Sequence, residues 1–195
     1  METNTPKFQK LLDIIENSNI SIDKVIDLIS EFQNYSKTPG INDMFIAGQS
    51  SEKIYFLVDY TRTLEQAIAE SRYGWKNPNI ISENFPISPE MIGKKIKVVA
   101  RLYHFNYDIS SKEAIEKMDK DGCRPATIMD LLGLGIRYKF LQVSFPVVAL
   151  GSVWTSSRDN HQVPIIGNFG HSYGINLICF GGGWGANCRF LGIHK

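Results

Sequence analysis

An α+β fold is what this sequence predicts, and three observations carry the prediction. Thr63, Ser110 and Thr127 are each followed three positions later by Gln, Glu or Asp and then by apolar residues at helical spacing, the pattern of a capped helix. Gly93–His104 alternates, with Ile96, Val98, Ala100 and Leu102 on one side, as a long half-buried strand does. Beyond Leu141 the only charged residues are Arg158, Asp159, Arg189 and Lys195, and short apolar runs there are separated by glycine-rich loops.

The elements follow in order. Residues 1–40 read as a helical hairpin: Phe8, Leu11, Leu12 and Ile15 share one face, and Ser21 caps a second helix carrying Val25, Ile26, Leu28, Ile29 and Phe32. Residues 41–92 read as an α/β extension packing on the main domain. Lys53–Asp59 is its strand, and Thr63 opens a helix running to about Arg72, with Gly74 as its stop. Tyr73, Trp75, Asn77, Pro78 and Asn79 then form a polar-aromatic loop, which either binds something or covers a sheet edge; the second reading is preferred.

Residues 93–195 form the main domain. After the long strand, Ser110 caps a helix with Ala114, Ile115 and Met118 inside, ended by Gly122. Arg124-Pro125 is extended, as the residue before proline must be, and Thr127 starts the next helix. Short strands are expected at Phe145–Leu150, Val163–Ile166, Gly174–Phe180 and Asn187–Ile193, with a strand end at Val153-Trp-Thr-Ser-Ser157.

Composition narrows function. The formal charge of +1 gives no electrostatic case for nucleic acid or an acidic membrane. No basic segment followed by an apolar run opens the chain, and no apolar stretch is long enough to span a bilayer, so neither a cleaved signal nor membrane insertion is expected. A cytoplasmic or virion-associated location fits. Cys123, Cys179 and Cys188 are odd in number and widely spaced, which predicts reduced, mostly buried thiols, or at most one pair within the C-terminal region.

The order of Gly122-Cys-Arg-Pro-Ala-Thr127, Val153-Trp-Thr-Ser-Ser157, Gly181-Gly-Gly-Trp184 and Cys188-Arg-Phe-Leu-Gly-Ile193 resembles the C-type lectin-like fold over roughly residues 93–194. It is most similar to the branch holding formylglycine-generating-enzyme-like domains and the variable proteins of diversity-generating retroelements. The resemblance implies two helices with a twisted antiparallel sheet, terminal strands near each other, and loops that carry ligand contacts. In the variable proteins, adenine-directed mutation of Asn codons yields Tyr, Ser, Asp, His, Phe, Ile, Gly or Cys without stops. The stretch Asn168–Asn187 is composed largely of that set.

Aromatic side chains give large rigid contacts, while Ser, Gly and Asn give adaptable hydrogen bonds. The expected binding set is therefore Asn168, Phe169, His171, Ser172, Tyr173, Asn176, Ile178, Phe180, Trp184 and Asn187, with Arg189 and Phe190 as scaffold. For Ile178, Phe180 and Trp184 a core role is an equal alternative. The expected partner is a varied macromolecule, chiefly protein, bound without cofactor or metal, with homo-oligomerisation raising affinity.

Competing readings are an oxidase of the formylglycine-generating type using Cys179 and Cys188, and a structural or viral assembly protein with the tail as interface. A Ser152–His161–Asp159 hydrolase lacks a nucleophile elbow. The four histidines lack metal-ligand spacing, Gly181–Gly183 lacks the Lys-Ser/Thr of a phosphate loop, and Ser157–Asn160 lacks the companion motif of calcium lectins.

Overall fold

The computed structural model describes residues 53–138, 145–170 and 172–195, all within one compact unit, Gly48–Lys195. The helical hairpin expected for residues 1–40 lies outside the described residues. In chain order the elements are β1 (Ile54–Asp59), α1 (Leu64–Ser71), β2 (Trp75–Lys76), β3 (Lys95–His104), β4 (Ile109–Ser110), α2 (Ser111–Lys120) and β5 (Cys123–Pro125). They continue with α3 (Ile128–Arg137), β6 (Val147–Val148), β7 (Trp154–Thr155), β8 (His161–Phe169), β9 (Ser172–Cys179), β10 (Gly183–Trp184) and β11 (Arg189–His194).

The fold is α+β, with three helices among the described residues and one large open sheet. The sheet runs β1-β3-β11-β6-β8-β9-β2, with β5 also pairing β11 and β7 also pairing β8. The sheet is mixed rather than wholly antiparallel: β6 runs parallel to β11, and β2 parallel to β9. Segment 53–92, the described part of the α/β extension expected to pack on the main domain, supplies a strand at each margin of this sheet. β1 pairs β3 with Ile54 opposite Ala100 and Asp59 opposite Lys95.

All three capping patterns form. Thr63, Ser110 and Thr127 each accept a hydrogen bond from the backbone N–H three residues on, and Gln66, Glu113 and Asp130 each bond back. Such reciprocal caps satisfy N–H groups that a helix start leaves unpaired, each worth about 1 kcal/mol. The helix after Thr63 stops before Gly74: Arg72 takes the left-handed turn, at φ 54°. The third cap is buried. Asp130 has no exposed surface, and its carboxylate accepts from the Thr127 backbone N–H at 2.8 Å, the Thr127 hydroxyl at 2.9 Å and the Arg124 guanidinium at 2.7 Å. A buried charge survives when it is paired and hydrogen-bonded in this way.

The core lies on both faces of the sheet. Phe56 on β1 and Val98, Ala100 and Leu102 on β3 share the face against which α3 lies, and α1 lies on α3. The other face packs Tyr103, Cys123, Val163, Ile165 and Phe190 with Ala114 and Met118 of α2. β11 sits between, paired with β3 on one edge and with β6 and β5 on the other. Gly192 is needed there: a Cβ would come within 2.7 Å of the Tyr103 ring and 3.3 Å of the Cys123 Cβ. Among the described residues no helix is long and apolar enough to cross a membrane.

Replacing Gly192 by Ala is expected to cost about 1–3 kcal/mol in urea unfolding, because the ring must give way in a close-packed core. Gly181, whose added Cβ would meet nothing within 4 Å, is the control. Its replacement by Ala should stay within about 0.5 kcal/mol of the parent.

Candidate recognition surface

The expected binding residues cluster on the hairpin β8–β9 and the segment leading to β11. In the hairpin, Asn168 stands opposite Tyr173, Phe169 opposite Ser172, Ile165 opposite Asn176 and Val163 opposite Ile178. Side chains alternate faces along a strand, so Asn168 and Tyr173 share one face while Phe169, Asn176 and Ile178 belong to the other. Four of the ten are exposed: Asn168, Tyr173 (38%), Ile178 (41%) and Asn187. They stand on a base of buried Val163, Ile165, Ile166, Ile175 and Leu177.

The rest divide by what they touch. Trp184 is corrected from surface to core: it is 3% exposed, and its ring meets Phe190 edge-on at 5.6 Å. Its indole N–H donates to the Ser111 hydroxyl at 2.8 Å, and that hydroxyl donates to the Phe180 carbonyl at 2.5 Å. This chain clamps the glycine-rich loop onto the start of α2, which supplies the polar partner a buried indole needs. Phe169 and Phe180 are half-buried and pack against the same core, so they leave the freely exposed set as well. His171 lies outside the described residues, and of Ser172 only the backbone is described.

Asn176 is also corrected, and for a different reason. Its side-chain oxygen accepts the backbone N–H of Leu177 at 2.7 Å and the Asn77 side-chain amide N–H at 3.0 Å. Leu177 lies just beyond the short β2, whose pairing with β9 covers Gly174 and Ile175. The two asparagines therefore finish the edge that β2 leaves open, satisfying a donor of the kind that invites strand addition. The preferred reading of the 73–79 loop matches this arrangement: Gly74 N–H donates to the Tyr173 carbonyl and Asn77 N–H to that of Ile175, both at 2.9 Å.

Trp75, in a loop read as either binding something or covering a sheet edge, stays 41% exposed with its ring 6.3 Å from Phe169. It follows β9 so closely that a side chain on Gly174 would strike its carbonyl oxygen. Trp75 thus adds an aromatic surface beside the hairpin. An aromatic in an edge segment near an aromatic-rich tail was the available signal.

Arg189 and Phe190 are scaffold. The Arg189 guanidinium sits 4.6 Å from the Phe145 ring centroid and donates to the carbonyls of Asn187 and Cys188, at 3.2 and 3.3 Å, fixing the loop that displays Asn187. The three cysteines are free thiols, but only Cys123 is buried; Cys179 is exposed and Cys188 half-buried, contrary to the expectation of mostly buried thiols. Ser152 Oγ accepts the Ile128 N–H at 2.9 Å, and His161 Nδ1 pairs with Thr155 Oγ1 at 2.8 Å, so neither serves a Ser–His–Asp relay here. Among the described residues no group of three or more His, Cys, Asp and Glu is placed to hold a metal ion.

Trp184→Ala should lower stability by about 3–5 kcal/mol, because it leaves a cavity as well as removing contacts. Asn77→Ala should cost only about 1 kcal/mol, the worth of one hydrogen bond. It should also speed amide exchange at Leu177, read by NMR, before other β9 amides respond. No family model, no curated protein and no solved structure matches the chain, so the geometry of its own residues carries the functional reading.

Proposed function

We propose that this is a ligand-recognition protein of C-type lectin-like build whose C-terminal surface is diversified by a diversity-generating retroelement. Sibling chains would then bind different macromolecular ligands, chiefly proteins. The observation that carries the reading is the exposure of Asn168 and Tyr173 on one face at the end of the hairpin, with exposed Trp75 beside Phe169 on the other, while the inner positions are buried. Ile178 and Asn187 extend the exposed set. Recognition by such a surface needs only shape and hydrogen-bond complementarity: rigid aromatics supply contact area at small entropic cost, and amides adapt their hydrogen bonds.

Two further features support it. The last strand pairs with the long strand that begins the region of resemblance, as that fold requires of its terminal strands. Asn168, Tyr173 and Asn187 are exposed beside a buried scaffold of Val163, Ile165, Ile175 and Phe190, whereas Ile178 stands directly opposite Val163.

Replacing Asn168, Tyr173, Ile178 and Asn187 together by serine should leave a cooperatively folding protein, since exposed substitutions each stay within about 0.5 kcal/mol. Loss of the folded state would show that these residues are structural. The diversification itself is checked in the genome. A reverse-transcriptase gene nearby and a near-copy of this gene's 3′ end, differing at adenines, are expected; absence of such a copy overturns it. Displayed libraries varied at the four positions should yield binders to protein targets that the parent does not bind.

A further inference from the structure

A cleft of about 500 Å³ opens among segments that the recognition reading leaves unused. One side is the loop from Phe85 to Met91. Another is built from Arg124 and Pro125 of β5, the first turn of α3 and the Gly151-Ser152 turn, with Tyr60 completing the lining. No residue between 168 and 187 contributes, so the inference stands apart from the proposed function. Its volume falls within the roughly 300–1,000 Å³ of small-ligand sites, and its lining joins apolar walls to a few placed polar groups, as such sites do.

The condition of those polar groups decides what the cleft can hold. Asp130 beneath it is fully buried, and its carboxylate is already bonded to Arg124 and to both the backbone and hydroxyl of Thr127. The Arg124 side chain, 37% exposed, spends two of its nitrogens on Asp130 and retains further N–H groups. Ser152 Oγ accepts the Ile128 N–H, which leaves its own proton to donate. Burial, with the Asp130 carboxylate nearby, raises the Tyr60 phenol above its usual pKa, and that side chain is already engaged with the Thr127 hydroxyl.

The cleft therefore offers hydrogen-bond donors around an ion pair whose charges cancel. A carboxylate guest sets its attraction to Arg124 against repulsion from Asp130, and an ammonium guest the reverse, so neither charge finds an unpaired partner there. An uncharged oxygen acceptor meets neither repulsion. Next to the donors stand the aliphatic and thioether side chains of Ile87, Met91, Ile128 and Met129.

We propose that this cleft binds a small neutral ligand joining an apolar group to a carbonyl oxygen. Arg124 and Ser152 receive the oxygen, and the aliphatic and methionine side chains receive the apolar part. The two methionines make the site directly observable, because Met91 and Met129 line it while Met118 is buried beneath α2 on the other side of the sheet.

The test is a titration of protein carrying ¹³C-labelled methionine methyls with three six-carbon probes: hexanamide, hexanoate and hexylamine. Hexanamide should move the Met91 and Met129 signals saturably, with a dissociation constant on the order of 1 mM, and leave Met118 in place. Hexanoate and hexylamine should bind at least about tenfold more weakly, the effect of one unfavourable charge contact. Ile87→Trp fills the cleft without touching the Arg124–Asp130 pair and should abolish the response, with an unmoved Met118 signal reporting an intact fold. The probe comparison on the parent protein stands even if that variant does not fold. No saturable shift with hexanamide, equal affinity for all three probes, or full binding by a folded Ile87→Trp protein would each overturn the proposal.

Discussion

β11 has no free edge and no free face, and most of the described structure follows from that constraint. Its backbone is shared between β3 on one side and β6 and β5 on the other. Phe190 points to the α2 side and Leu191 and Ile193 to the opposite one, all three nearly without exposed surface. A strand in that position cannot carry charge at its centre or bulk where neighbours cross, which accounts for the run Phe-Leu-Gly-Ile. Gly192 is the narrowest point, where the Tyr103 ring crosses toward Cys123. In the sheet's hydrogen-bonded order, the hairpin β8–β9 reaches β11 through the two residues of β6, while Val163 and Ile165 share a core cluster with Phe190.

What separates frame from display in the tail is the pairing of polar atoms rather than residue type. Trp184 and Trp75 are both tryptophans in glycine-containing surroundings, yet one is core and the other surface. Ser111 makes the difference, since it offers the Trp184 indole a buried acceptor and passes a hydrogen bond on to the Phe180 carbonyl. Asn176 and Asn187 differ in degree: the first has its oxygen occupied by two N–H donors, while the second accepts the Cys188 thiol, at 3.7 Å, and stands exposed on a turn fixed by Arg189.

Local features were legible in the sequence, and long-range ones were not. The three capping boxes close over three residues, so a hydroxyl and its partner reveal them, and all three form. β3 alternates over ten residues and keeps Val98, Ala100 and Leu102 buried as its pattern implies. By contrast, the Ser111 partner of Trp184 is 73 residues away and the Asn77 partner of Asn176 is 99 away. Nothing in either neighbourhood announces those contacts. The cleft beside Arg124 was hidden for a related reason, because its sides come from separate segments and only the Arg-Pro-x-Thr-x-x-Asp portion is a local pattern.

The amide pair that closes the β9 edge has a consequence for the solution behaviour of the chain. A strand margin covered by neighbouring backbone keeps its cover through almost any substitution, because every residue but proline supplies the same donor and acceptor. A margin covered by a side chain has no such insurance, and one codon removes it. A substitution at position 176 that removes the amide would leave the Leu177 N–H open to pairing with a second chain. The cover of the Leu177 margin thus depends on which residue stands at position 176, not on backbone alone.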